Sequence, residues 1–415
     1  MSKLEKTDKE IFNIIEAEKK RQTDGLEMIA SENYVSEAVL EATGSILTNK
    51  YAEGYSGARY YGGCENVDKA ETLAIERLKK LFGCKFANVQ PHSGSSANLI
   101  AYAAVAQPGD KILGQSLDAG GHLTHGSKVS FSGKWFESHG YGIDPETGRL
   151  NYDQIEKIAE EVKPKVIMCG YSAYPRKIDF KRFRQIADKV GAVLIADIAH
   201  IAGLVATGYH ESPIGIADIV TSTTHKTLRG PRSGIIMTND EDLSKKINKA
   251  NFPMLQGGPL EHVIAAKAVA FGEALKPEFK KYIGNVIDNM EVFATTLNHF
   301  DFDLVTDGTD NHLILVDLRS KNITGIDFES ALSKAGITVN KNAIPNDPNP
   351  PKITSGIRVG VAALTTRGMG LVEMQRIAEF FNIVVENMDN EEKLAEIKEE
   401  VREMCTKFPV PGINK

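Results

Sequence analysis

The sequence is poor in cysteine, in tryptophan and in long apolar runs, and it carries no excess of positive charge. Its four cysteines, Cys64, Cys84, Cys169 and Cys405, are scattered through 415 residues with no C-x-x-C pair. That spacing argues against a disulfide framework and suits reduced thiols in a cytosolic protein. No apolar run approaches the roughly 20 residues needed to span a bilayer, so no membrane partner is expected. The formal net charge of -6 leaves no electrostatic footprint for nucleic acid. The opening "MSKLEKTDKEIFNIIEAEKKRQ" lacks the apolar core of a signal peptide. Neither G-x-x-x-x-G-K-[ST] nor a G-x-G-x-x-G after a strand occurs, which removes the P-loop and dinucleotide fingerprints. What remains is an expectation of a soluble, cytoplasmic protein of ordinary globular composition.

The chain is long enough for two domains. Its opening reads as an amphipathic helix with Ile11, Ile14, Ile15 and Ala17 on one side, an N-terminal arm over residues 1–25. Short apolar runs then alternate with helical patterns: "FANVQ", "KILG", "KVIMCG", "AVLIAD", "IADIVTS" and "SGIIMTN". Runs apolar throughout and separated by helices indicate a mainly parallel sheet buried on both faces. After the long helical stretch "PLEHVIAAKAVAFGEAL" the character changes. "HFDFDLVTDGTDNHLILVDLRS" and "GITVNKN" read as strands of a smaller unit closed by the charged helix "NEEKLAEIKEEVREMCTKF". The expected division is a large α/β domain over 26–280 and a small C-terminal α+β domain over 281–415.

In open α/β sheets ligands bind beyond the carboxyl ends of the strands, so the residues just after each run carry the interest. After "FANVQ" come Ser93, Gly94, Ser95 and Ser96, then a helix; exposed N–H groups there can hold phosphate, although a plain serine N-cap would look the same. Asp197 closes "AVLIAD", with His200 a turn away. A carboxylate there needs a partner, or serves as a helix cap. Lys226 follows the next strand, behind Thr221, Ser222, Thr223, Thr224 and His225. An amine desolvated at that place loses pKa and can attack a carbonyl, unless it is simply half of an ion pair. Together the three strand ends supply a phosphate cradle, a partner for a pyridine nitrogen and a Schiff-base lysine, the set that pyridoxal 5'-phosphate requires. His122 and His125 form H-x-x-H without a neighbouring glutamate base, a poor zinc pattern, so no metal is expected; the imidazole of His122 could stack on an aromatic cofactor instead.

The segments "LEMIASEN", "LTNKYAEGY", "RYYGGCE", "NVQPHSGSSAN", "GGHLTHG", "DIAHIAGL", "TTHKTLRGPR", "QGGPLEH" and "TSGIRVG" run in order along nearly the whole chain. In them the sequence resembles the serine hydroxymethyltransferases, fold-type I pyridoxal phosphate enzymes. The resemblance implies reversible transfer of the serine hydroxymethyl carbon to tetrahydrofolate through an external aldimine, giving glycine and 5,10-methylenetetrahydrofolate. It implies that Lys226 holds the cofactor, that Asp197 keeps the pyridine nitrogen protonated, that His122 stacks on the ring and that His200 contacts its phenolic oxygen. Ser93, Gly94 and Ser95 would hold the phosphate, with Gly257 added from a second subunit, and Ser172 would lie near the ring substituents. His225 would sit beside the lysine and influence substrate choice. Arg358 would clamp the amino-acid carboxylate in bidentate fashion, assisted by Ser31. Glu53 would be the acid/base group near the serine hydroxyl and folate, with Tyr51 and Tyr61 beside it, all three supplied by the neighbouring protomer of a homodimer that could pair further into a tetramer. Leu117, Gly121, Leu123 and Asn342 would line the pteridine pocket.

Three places depart from the family pattern: Val361 and Ala362 stand where threonine and proline are usual, Asp118 and Ala119 where alanine and histidine are common, and Ser56 where proline is frequent. The same electron sink would also serve a β-hydroxy amino acid aldolase or an α-methylserine hydroxymethyltransferase. "GGHLTHG" favours the folate-dependent reaction, and the acidic charge weighs against an RNA-binding protein that kept only the fold.

Overall fold

All six apolar runs are strands of one seven-stranded sheet in the computed structural model, which describes residues 2–413. Met1, Asn414 and Lys415, the outer ends of the expected domain ranges, lie outside the described residues. The strands are β1 (Phe86–Asn88), β2 (Lys111–Gln115), β3 (Glu137–Tyr141), β4 (Val166–Gly170), β5 (Val193–Asp197), β6 (Ile219–Thr223) and β7 (Gly234–Thr238). Their order is β1-β7-β6-β5-β4-β2-β3. Neighbours from β6 through β3 are parallel, and β7 runs antiparallel to both β6 and β1.

Side chains alternate between the two faces of a strand, and both faces here are apolar. Ile112, Val166, Met168, Ile195, Ile219 and Ile236 pack on one face with Ala97, Ile100 and Ala101 of the helix Gly94–Val105. Their sequence neighbours Leu113, Ile167, Leu194, Val220 and Ile235 belong to the main core on the other face. The one strand that the apolar pattern does not reveal is β3. It is an edge strand, "ESHGY", paired only with β2, and among its residues only Tyr141 is buried. Polar side chains suit an edge, where an apolar strand would invite pairing with other chains.

A second, four-stranded antiparallel sheet comprises β8 (Asp303–Leu304), β9 (Leu313–Asp317), β10 (Asn340–Asn342) and β11 (Gly356–Gly360) in the order β8-β9-β11-β10. Between the two sheets runs the 23-residue helix Pro277–His299, so the expected boundary at residue 280 falls inside its first turn. The segment expected to begin the large unit is also tied to the small sheet's side of the molecule. Leu26–Glu27 pairs in parallel with Ile337–Thr338, and the Gly360 N–H donates to the Met28 carbonyl at 2.8 Å. Leu26 and Met28 are fully buried there.

The opening helix Lys9–Asp24 is capped by Asp8, whose carboxylate accepts from the Ile11 N–H. Its expected apolar side, however, is exposed: Ile11, Ile14 and Ile15 show 45%, 63% and 49% of their surface. The charged C-terminal stretch forms the helix Glu391–Lys407. All four cysteines are buried and unpaired. No helix among the described residues is long and apolar enough to cross a membrane.

Candidate active site

The carboxyl ends of β4, β5 and β6 open onto a cavity of about 350 Å³. Eleven residues singled out in the sequence line it: Ser31, Ser93, Gly94, Ser95, His122, Ser172, Asp197, His200, His225, Lys226 and Arg358. Glu32, Tyr171, Ala199, Thr223 and Arg232 also line it, and the sequence pattern assigns them no role. A larger cavity of about 520 Å³ shares Glu32, His225 and Arg232 with it and is otherwise lined by residues such as Gln22, Val39 and Val410 that the sequence pattern assigns no role.

Ser93 is a helix N-cap in fact: its hydroxyl accepts from the Ser96 N–H at 3.1 Å. The cap and the cradle do not compete, because the first N–H groups of the helix remain without intrahelical partners. Gly94 is required by close approach, since a Cβ there would stand 2.6 Å from the Thr223 methyl. Behind this turn the ammonium of Lys267, fully buried, donates to the carbonyls of Gly234 at 2.8 Å and Val89 at 2.5 Å.

Asp197 ends β5 with three donors around its carboxylate. Oδ2 accepts from Asn98 Nδ2 at 2.8 Å and from His125 Nε2 at 3.2 Å, and Oδ1 accepts from the Ala199 N–H at 3.0 Å. Burial works to raise its pKa, but the hydrogen bonds from His125 and Asn98 outweigh it and hold the carboxyl below the usual range. The group is therefore an ionised acceptor facing a cavity.

Burial pushes the Lys226 amine down to about 8; Asp197 opposes the drop, and Arg358 and Arg232 reinforce it. The backbone of the lysine is fixed by Asn33, whose Nδ2 donates to the Lys226 carbonyl at 2.9 Å. Arg229, three residues on, takes a left-handed φ of 58° that closes this turn. Beside the lysine, burial first and then the charges of Lys226 and Arg232 bring His225 down to about 3. Burial lowers Arg358 to about 10. Its guanidinium donates to the Ser172 carbonyl at 2.7 Å and to Asn340 Oδ1 at 3.2 Å, and no carboxylate pairs with it among the described residues.

The remaining expected residues lie elsewhere. Tyr51 donates to Glu53 at 3.2 Å and packs edge-on against Tyr61 with ring centroids 5.1 Å apart. Gly257 lies against this pair: a Cβ there would stand 3.1 Å from Glu53 Oε1. Tyr51, Glu53, Tyr61 and Gly257 thus form a second, surface cluster outside the walls of the Lys226 cavity, with both tyrosines about half exposed. Leu117 and Leu123 are exposed on short turns, and Asn342 ends β10. Gly121 approaches the chain too closely for any side chain, with a would-be Cβ 2.0 Å from the Gln115 carbonyl. Ser116, Asp118 and Ala119 on one side and Ala343, Ile344 and Asn346 on the other enclose a separate cavity of about 410 Å³ next to these positions.

The site fits pyridoxal phosphate on its own geometry. It offers a helix N-terminus with no room for a Cβ at Gly94, an ionised carboxylate, an amine with no hydrogen-bond partner among the described residues and a neutral imidazole, in a volume suited to a small cofactor. With the mixed seven-stranded sheet, these features define a fold-type I pyridoxal phosphate enzyme. The family described as serine hydroxymethyltransferase matches residues 4–381. A protein named serine hydroxymethyltransferase from Rickettsia akari (strain Hartford) is 58% identical over 410 residues, covering 98% of each chain. Its namesake from Rickettsia canadensis (strain McKiel) is 58% identical over 413 residues, covering 99% of this chain and 98% of its own. The chain belongs to the serine hydroxymethyltransferase family.

Proposed function

We propose that the protein transfers the hydroxymethyl carbon of L-serine to tetrahydrofolate, reversibly, yielding glycine and 5,10-methylenetetrahydrofolate, with Lys226 as the residue that holds its cofactor. One relationship carries the reading of the site. A lysine with a lowered pKa, an ionised aspartate and an arginine without a carboxylate partner all face one cavity at the ends of parallel strands.

Pyridoxal phosphate, when bound, supplies an electron sink for the bond that breaks at the amino acid's α-carbon. The Lys226 amine, partly neutral near pH 8, is the nucleophile toward its aldehyde. Asp197 keeps a proton on the pyridine nitrogen, which only an ionised carboxylate can do. His122, a neutral imidazole in the cavity wall, would cover the ring face, and His200 would contact the phenolic oxygen. Ser93, Gly94 and Ser95 hold the phosphate, and Ser172 stands near the ring. Arg358, with Ser31, grips the substrate carboxylate through its planar fork.

Glu53, with Tyr51 and Tyr61, moves the proton of the serine hydroxyl in the site of a second copy, to which Gly257 also reaches; their surface position supports that sharing. The exposed Ile11, Ile14 and Ile15 support a homodimer as well. Leu117, Gly121, Leu123 and Asn342 receive the pteridine. The working arrangement is an N-terminal arm, a large cofactor lobe and a small C-terminal lobe, in the cytoplasm. Glycine formation from serine, measured with and without tetrahydrofolate, tests the proposal. A strong dependence on folate is expected, and equal rates would leave only a folate-free aldolase.

A further inference from the structure

The two groups that would face the cofactor ring, Asp197 at its nitrogen and His122 on its face, belong to a single hydrogen-bond network with one side chain at its centre. That side chain is Asn98, one turn into the helix whose N-terminus forms the phosphate cradle, and it is 1% exposed. Its Nδ2 donates to Asp197 Oδ2 and to Thr124 Oγ1, both at 2.8 Å, and its Oδ1 accepts from Thr221 Oγ1 at 2.6 Å. Both of its N–H donors and its carbonyl oxygen are in use, and with its own helix it ties together four separate elements of the large sheet and its loops.

The proton positions in this network follow from chemistry. Asp197 is ionised and can only accept, so the amide of Asn98 must present nitrogen to it. Thr221 must then donate to Asn98 Oδ1. Thr124 Oγ1 accepts one Asn98 hydrogen and lies 2.7 Å from His122 Nδ1. The Thr124 backbone N–H donates to that nitrogen at 3.2 Å. Nδ1 of His122 is therefore an acceptor, and the single proton of this neutral ring sits on Nε2. The second donor to Asp197 is fixed in the same way. The His122 backbone N–H donates to His125 Nδ1 at 3.2 Å, which leaves the His125 proton on Nε2, directed at the carboxylate.

We infer that Asn98 is a positioning residue for both ring-facing groups, holding Asp197 ionised by direct donation and orienting the Thr124 hydroxyl toward His122. The inference rests on the cofactor reading proposed above and deepens it. Asn98 itself touches neither ring nor substrate. Its effect runs through the direction of hydrogen bonds, so shape alone does not replace it. An isosteric group that cannot donate breaks the chain, and a smaller group that keeps the hydroxyl at position 124 preserves it.

The test uses the full chain loaded with pyridoxal phosphate and labelled with nitrogen-15 histidine, as wild type and as N98A, T124V and T124S. In the wild type the nitrogen spectrum should show His122 protonated at Nε2 alone. N98A and T124V should shift the His122 Nδ1 resonance, because the Thr124 hydroxyl is reoriented in one and lost in the other, and T124S should keep the wild-type position. N98A should lower kcat by about ten- to a hundredfold, the range expected for losing one hydrogen bond to a charged group. It should also raise the cofactor's dissociation constant while the serine KM stays within about twofold, because Arg358 is untouched. N98A and T124V with the wild-type His122 Nδ1 resonance, kcat and cofactor affinity would overturn the inference alone. A wild-type chain that takes up no pyridoxal phosphate would bring down the cofactor reading and this inference together.

Discussion

His200 Nδ1 lies 3.2 Å from His312 Nε2, with the two rings stacked at a centroid distance of 5.4 Å. His200 lines the cofactor cavity, whereas His312 immediately precedes β9 of the small sheet, so this bond ties one sheet to the site on the other. Burial, with the charges of Lys226 and Arg358, holds both rings neutral, His312 at about 3 and His200 well below its ordinary value. One N–H therefore serves the pair. Replacing His312 by phenylalanine keeps a ring there and leaves a buried His200 nitrogen unpaired. The expected cost is about 1–3 kcal/mol of stability, visible by calorimetry as a lower unfolding midpoint. An unchanged midpoint would mean that the bond contributes nothing.

Two buried histidines, His200 and His312, and two half-buried ones, His122 and His225, give the protein an acid-sensitive fold. His122 is lowered to about 4, His225 and His312 to about 3, and His200 further, in each case first by burial. Each binds its proton more readily in the unfolded chain, near pH 6.5. Falling pH below that value therefore favours unfolding, and the loss continues until the folded values are reached. Each such ring contributes up to about 1.4 kcal/mol per pH unit across that window. Urea titrations at pH 7, 6, 5 and 4 should give steadily falling unfolding free energies. A flat profile from pH 7 to 5 would contradict the burial of these rings as neutral species.

The strand ends are legible in the sequence because a fully apolar run that stops at a charged or hydroxyl residue has few structural uses. Lys226 and Asp197 stand out on that ground from spacing and residue type alone. Asn98, Thr124, His125 and His312 do not, because a buried polar side chain looks like any other until its partners are placed around it. Arg232 is hidden in the same way: it sits in the same short stretch as Lys226, yet nothing in the spacing says that it reaches the cavity. In the fold, β3 escapes notice because its polar edge residues lack the apolar signature of its neighbours. The helix Pro277–His299 escapes it because it follows a similar helix with only Leu275 and Lys276 between them, so the two read as one change of character. The boundary expected at residue 280 falls inside that helix for the same reason.

Arg358 tests the substrate clamp. Its fork is oriented by the Ser172 carbonyl and Asn340, which leaves the rest of the guanidinium for a ligand carboxylate. Lysine keeps the charge but loses the parallel pair of donors. R358K should raise the serine KM by about ten- to a hundredfold, within the range for a disrupted buried charge pair, with cofactor absorbance unchanged. Steady-state kinetics at saturating folate would show this, and a wild-type KM would remove the clamp role.

Sharing of sites between chains makes the sharpest demand on the surface cluster. Glu53 and Lys226 line different parts of one chain, and the Glu53 cluster is exposed beside Gly257 rather than facing its own lysine. If each site takes its lysine from one copy and its glutamate from the other, E53Q and K226A are defective in opposite halves. A mixed dimer then has one site with both defects and one with neither. Equal mixing with free exchange should restore about a quarter of the wild-type activity, since half the dimers are mixed and half their sites are intact. The measurement is activity after co-refolding or co-expression of differently tagged chains, with mixed dimers isolated by sequential tag purification. Purified mixed dimers that remain as inactive as either parent would place Glu53 and Lys226 in the same chain's site, and the exposed tyrosines would then need another explanation.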